Sequence, residues 1–170
     1  MPTPIRTLLA DPPWKFADRL PGPNRGAERN YKTMSIDDLE RFVLPPLADD
    51  CRLFLWRVSA MVPEALRVVA AWGFVPKSEI IWIKRTVHGK LWFGMGRQVR
   101  LSHETCIIAT RGRPEVLSRS VRSVFEAPWT RHSGKPDEFY RIVESLSPGP
   151  YAELFARKRR PGWLSFGDEL

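Results

Sequence analysis

Apolar residues in this chain fall in short continuous runs separated by polar, Gly- and Pro-rich stretches, the pattern of strands buried on both faces. Thr7-Leu8-Leu9-Ala10, Cys51 to Trp56, Glu79 to Ile83 and Thr105 to Ala109 each predict a strand. Residues 121–126 predict another, 151–155 a late one, and 163–166 one more. Helix signals lie between them. Ser35 with Asp38 three residues later predicts a capped start leading into Leu39 and Phe42. Pro63, Glu64 and Gly73 bracket a second helix in which Leu66, Val69 and Ala70 recur at helical spacing. Pro136-Asp137-Glu138 opens a third, which runs to about Leu146, where Ser147-Pro148-Gly149 breaks it. Strands alternating with helices predict an α/β fold: a mainly parallel sheet with helices on both faces, a three-layer sandwich. Residues 15–32 and 88–102 show no periodicity. Loops of that length are usually functional or disordered. Both begin near strand ends, so they are expected to meet over one face as a lid.

The first strand runs directly into Asp11-Pro12-Pro13-Trp14. A carboxylate, two prolines and an aromatic ring therefore lie just past a strand's carboxyl end, where open α/β sheets bind ligands. The prolines fix φ near −65° and remove two N–H donors, leaving carbonyls that can only accept. A rigid acceptor-only turn beside an aromatic plate suits an amino group on a flat ring. The plainer alternative is a Pro-rich turn whose Trp packs on the core.

Composition narrows the partner. At 170 residues the chain predicts a single domain spanning 1–170. Lys and Arg outnumber Asp and Glu by 27 to 19, a formal charge of +8. That favours a polyanion, most simply nucleic acid, over charge that only aids solubility. Cys51 and Cys106 sit in apolar runs and are expected to be small core residues. With three histidines in the chain, no metal site is expected. No leader and no membrane-spanning apolar run is visible, so a cytoplasmic protein is expected.

Beyond the turn, further blocks follow in order: Tyr31-Lys32-Thr33-Met34-Ser35, Leu53-Phe54-Leu55-Trp56, Glu79-Ile80-Ile81-Trp82 and His103-Glu104. Then come Arg131 to Glu138, Leu146-Ser147-Pro148-Gly149, Glu153-Leu154-Phe155-Ala156-Arg157 and Gly162-Trp163. Any one is weak, but the ordered set spans nearly the whole chain. It resembles the mRNA adenosine-N6 methyltransferase-like (MT-A70) family, which includes eukaryotic mRNA methylases and bacterial and phage DNA adenine methylases. The resemblance implies a Rossmann-like, permuted amino-methyltransferase fold and methyl transfer from S-adenosylmethionine to the N6 amine of adenine. Residue by residue, it implies that Asp11, Pro12, Pro13 and Trp14 form the catalytic turn. Tyr31 and Glu104 fall on the substrate side, and Lys135 falls at the cofactor's carboxylate beside Ser133. Arg157 falls at the ribose, and Asp168 and Glu169 near the cofactor's adenine. The small size is closer to the DNA-modifying members, in a bacterial or phage-infected cell; RNA and a homodimer are left open. The chain departs from the family at Lys158-Arg159-Arg160, where some members have His-Asn, and at Asp168, where Asn is common.

The residues also suggest a mechanism. An adenine amine is a poor nucleophile because its lone pair is delocalised into the ring. Acceptors on both amine hydrogens, the Asp11 carboxylate and the Pro12 carbonyl, would localise that pair, and the carboxylate would stabilise the charge that builds on nitrogen. Trp14 or Tyr31 would stack on the base. Arg97 and Arg100, with His103, lie by the second long stretch, and Arg111, Arg113, Arg119 and Arg122 near the next; some of these arginines are expected on phosphates. Trp56, Trp82 and Trp163 are expected in the core. Two other readings share the turn: a catalytically silent nucleic-acid-binding subunit of the same fold, and a cytosine-N4 methyltransferase.

Overall fold

The computed structural model describes residues 3–15, 33–96, 98–130, 134–167 and 170. Among the described residues seven strands and three helices follow in chain order: β1 (Ile5–Ala10), α1 (Ile36–Glu40), β2 (Leu47–Arg57), α2 (Val62–Ala71), β3 (Val75–Arg85), β4 (His103–Arg111), β5 (Val124–Pro128), α3 (Asp137–Leu146), β6 (Tyr151–Leu154) and β7 (Trp163–Phe166). The strands form one sheet in the order β5-β3-β4-β2-β1-β6-β7. Six run the same way, and β4 runs against both of its neighbours, β2 and β3. The expectation of a mainly parallel sheet holds, and the reversed β4 makes it a mixed one.

Helices cover both faces because alternate strand residues point to opposite sides. Leu8, Ala10, Leu53 and Leu55 pack with Leu39 of α1 and with Ala65, Val68 and Val69 of α2. Leu9, Phe54 and Trp56 pack with Phe139, Tyr140 and Val143 of α3. Burying a side chain of this kind contributes roughly 1.5–3 kcal/mol. The inward face of α2 is rotated slightly from the expected one: Leu66 is exposed, and Ala65 and Val68 are buried with Val69. The helix ends follow local rules. The Ser35 hydroxyl accepts from the Asp38 N–H at 3.1 Å, and Gly73, at φ +80°, ends α2 in the left-handed region. Cys51 and Cys106 are buried free thiols, and Trp56, Trp82 and Trp163 are buried as expected.

The chain leaves β1 for β2 on one side, while β6 continues to β7 on the other. β1 and β6 are neighbours, so a crevice opens between their carboxyl ends, the switch point at which such sheets bind ligands.

Candidate active site at the carboxyl edge of the sheet

A cavity of about 1160 Å³ lies at this switch point. Asp11 and Pro13 wall it from the end of β1, Phe155, Ala156 and Arg157 from the end of β6, and Ser165, Phe166 and Gly167 from the end of β7. Asp38 and Phe42 close it from the side of α1. Two backbone features shape this wall. Phe155 holds φ +60°, a sparsely populated conformation for an aromatic residue that surrounding structure must enforce. The Ala156 N–H donates to the Phe166 carbonyl at 2.9 Å, and a Cβ on Gly167 would stand 2.1 Å from the Ala156 oxygen. Only glycine lets β7 close on β6 there.

The Asp-Pro-Pro-Trp turn is tightly built. The Trp14 N–H donates to the Pro12 carbonyl at 2.8 Å, a γ-turn, and the Met34 N–H donates to the Pro13 carbonyl at 2.8 Å. Each carbonyl keeps a second lone pair, so Pro12 can still accept from a ligand. Trp14 itself is 5% exposed, inside the core, and its indole N–H donates to the Trp56 carbonyl at 3.0 Å. The expectation that Trp14 stacks on a base is therefore corrected: its ring is used up in packing, and it anchors the turn.

Behind the turn runs a chain of alternating charges. Lys135 Nζ lies 2.8 Å from Asp11 Oδ2 and 3.0 Å from Glu104 Oε2. Glu104 Oε1 lies 2.5 Å from Lys84 Nζ. Lys135 also sits 5.0 Å above the Trp56 ring, and its side chain is 8% exposed. Burial works against the Lys135 charge, but Asp11 and Glu104 together raise its pKa. Burial alone would push Glu104 up; Lys135 and Lys84 instead hold it at about 2. Both groups are thus charged at neutral pH, and Asp11 is held in place. Among the described residues Lys135 uses two of its three donors and is not in the cavity wall.

A second buried acid sits beside them. Glu153, on β6, is 7% exposed, accepts from Tyr140 Oη at 2.8 Å and has its pKa raised by burial. The same burial, with Glu153 beside it, raises the Tyr140 hydroxyl. Arg160 braces this region by stacking its guanidinium 3.6 Å from the Tyr140 ring centre and bonding Asp137 at 2.6 Å.

Of the residues singled out from the sequence, Asp11, Pro13 and Arg157 meet at the cavity, and Glu104 and Lys135 stand directly behind Asp11. His103 is exposed at the start of β4. Arg100 is exposed on the segment joining β3 to β4 and donates to the Gly96 carbonyl. Tyr31, Arg97, Ser133, Asp168 and Glu169 lie outside the described residues, as do residues 16–32 of the first expected lid segment. Sequence reasoning missed Asp38, Phe155, Arg159 and Ser165 in the wall, and Lys84. The same rule that found Asp11, a residue just past a strand end, points to Phe155. Lys84 needed the strand register: Trp82 pairs with Glu104 across β3 and β4, and Lys84 shares that face two residues on.

A Rossmann-like sandwich with a strand-end acid turn at its switch point defines the class. The chain belongs to the MT-A70 family, whose model matches residues 5–169. It is similar to the N(6)-adenosine-methyltransferase MT-A70-like protein of Drosophila melanogaster, 33% identical over 96% of this chain and 26% of that protein. The human N(6)-adenosine-methyltransferase catalytic subunit METTL3 is 31% identical over 96% of this chain and 28% of its own length. The type II methyltransferase M.MunI of Mycoplasma sp is 25% identical over 97% of this chain and 77% of that protein. The chain thus spans about a quarter of the adenosine methyltransferases it matches. Among the described residues no helix is long and apolar enough to cross a membrane, and no group of acids, histidines and cysteines is arranged to hold a metal.

Proposed function

We propose that this chain transfers a methyl group from S-adenosylmethionine to the N6 amine of adenine in nucleic acid. The observation that carries this reading is Asp11, held by buried Lys135 at the mouth of a cavity at the switch point. The wall suits the cofactor's mixed chemistry. Acids (Asp11, Asp38) suit its ammonium and sulfonium, guanidinium groups (Arg157, Arg159) its carboxylate and ribose, and Phe42, Phe155 and Phe166 its apolar parts. Ser165 Oγ, buried without a partner among the described residues, faces the same wall and supplies a spare hydrogen-bonding group. When bound, S-adenosylmethionine supplies an electrophilic methyl group.

The chain's own residues do the rest. Asp11 and the Pro12 carbonyl accept the two amine hydrogens and localise the nitrogen lone pair. The Asp11 carboxylate, fixed by Lys135, stabilises the positive charge that builds on that nitrogen without reorganising; one amine proton would pass to Asp11 or to water, the donor's sulfonium having left as a neutral thioether. Glu104, clamped by Lys84, holds Lys135 from the other side, so the acid keeps its aim. A paired target base must first leave its helix.

DNA is the first substrate to test, on the resemblance to small DNA-modifying members. The test is mass spectrometry of nucleosides from DNA and RNA incubated with the protein and S-adenosylmethionine. N6-methyladenine in DNA is the expected product. N4-methylcytosine would move the reading to cytosine, and no methylated base in either polymer would reject it.

A further inference from the structure

The segment between β3 and β4 is a built projection on the same edge as Asp11. The Thr86 N–H donates to the Lys90 carbonyl, the Trp92 N–H to the Lys84 carbonyl, and the Gly94 N–H to the Leu101 carbonyl. Trp92 stacks on Trp129 at 4.3 Å, and Ser102 Oγ donates to the Trp92 carbonyl at 2.7 Å. A Cβ on Gly94 would meet the Leu101 oxygen at 2.1 Å, so the two legs close tightly. The tip is apolar and open to solvent: Phe93 is 74% exposed and Met95 81%. Arg100 lies with its guanidinium 5.1 Å from the Phe93 ring centre. From residue 84 to 103 the chain has no Asp or Glu; Lys84 and Arg85 are paired with Glu104 and Glu126, and Lys90, Arg97 and Arg100 are the further cations.

Exposed apolar side chains mark an interaction site when they gather in one patch, and this one segment also exposes Val87, Leu91 and Val99. The charge decides the occupant. A second copy of the same projection would bring cations against cations, a juxtaposition that disfavours pairing. A polyanion with flat rings complements both features: phosphates meet the cations, and a base meets the aromatic face. The projection springs from the strand pair that carries Glu104 and Lys84, so it is tied to the catalytic turn through Lys135.

We propose that Phe93, with Arg100 beside it, is a stacking platform for a nucleotide flanking the target base. This rests on the nucleic-acid reading above for its ligand and adds the element that grips it. The platform is sequence-tolerant, because every base has a π-face, and it lets the target leave the stack while its neighbour stays held.

The test uses the full chain and fluorescein-labelled 20-nucleotide DNA, single-stranded and duplex, read by anisotropy at several salt concentrations. Phe93→Leu keeps the apolar character and loses the ring. Its affinity should fall about 5-fold to 150-fold with an unchanged salt slope, while Phe93→Trp stays near wild type. Arg100→Gln should lower the salt slope by about one unit. Wild-type affinity in Phe93→Leu overturns the proposal. So does a wild-type dimer, seen by sedimentation, that Phe93→Ser dissolves, since the tip would then seat a second copy. The nucleoside assay on wild-type protein stands apart: a chain that methylates nothing but binds DNA through Phe93 refutes the reaction and keeps the platform.

Discussion

Two basic stretches look alike in the sequence, 84–103 and 111–122, and the fold sends them to different places. The first rises from the carboxyl edge beside Asp11. The second begins at the opposite edge because β4 runs against its neighbours. Arg111 ends β4 there, and the Arg113 N–H is held by Asp50 at 2.7 Å. The chain then passes the far end of α3, where the Leu117 N–H donates to the Leu146 carbonyl and Arg52 donates to the carbonyls of Pro114 and Glu115. Arg119 follows Leu117, and Arg122 lies next to Ser123, whose carbonyl pairs with Ile81 within β3. None of the four is at the edge that carries the acid. The expectation that some of these arginines contact phosphates therefore fits the first stretch, which shares an edge with Asp11, better than the second. Local composition sets charge; strand direction decides whether that charge reaches the site.

The strongest way to break this contrast is to remove the cation at the site edge. Lys135→Ala leaves Asp11 and Glu104 without their shared partner in a buried setting, and should cost about 3–5 kcal/mol of stability. Urea unfolding checks it; an unchanged midpoint would mean that the pair is solvated. Asp11→Asn keeps the shape, loses the charge and swaps an acceptor for a donor. Turnover should fall roughly a hundredfold to a thousandfold, a larger effect than the loss of cofactor affinity read by calorimetry. Near wild-type methylation by Asp11→Asn would end the mechanism.

A pH titration sharpens the same edge. Glu104 is held at about 2 in the folded chain, against 4.5 ordinarily. Its contribution to stability is present above pH 4.5 and lost as pH falls toward 2. The difference is on the order of 3 kcal/mol. Glu104→Gln should flatten the loss of stability over that window, and an acid limb identical to wild type would remove Glu104 from the charge chain. The smallest effect belongs to the far edge. Arg111→Gln combined with Arg113→Gln should leave the salt slope of DNA binding unchanged, whereas removing a cation that pairs with a phosphate at the site edge lowers it by about one. An equal drop from both edges would show that substrate wraps the whole sheet.

Much of this was legible in the chain itself. Runs such as Leu53 to Trp56 mark strands because only burial on both faces favours uninterrupted apolar residues. Ser35 and Gly73 mark helix ends because caps satisfy backbone groups within a few residues. Asp11-Pro12-Pro13-Trp14 announced a rigid acceptor turn because proline acts on its own backbone. Tertiary structure alone decided how those pieces meet. That Trp14 is buried depends on the Trp56 carbonyl, 42 residues away. That Lys135 reaches Asp11 depends on a contact across 124 residues. That Glu104 faces Lys84 depends on the register of β3 against a reversed β4. Caps and turns are short-range, so their residues carry them. Direction, register and the side of the sheet to which a charge belongs come from packing the whole chain at once, and no local pattern encodes them.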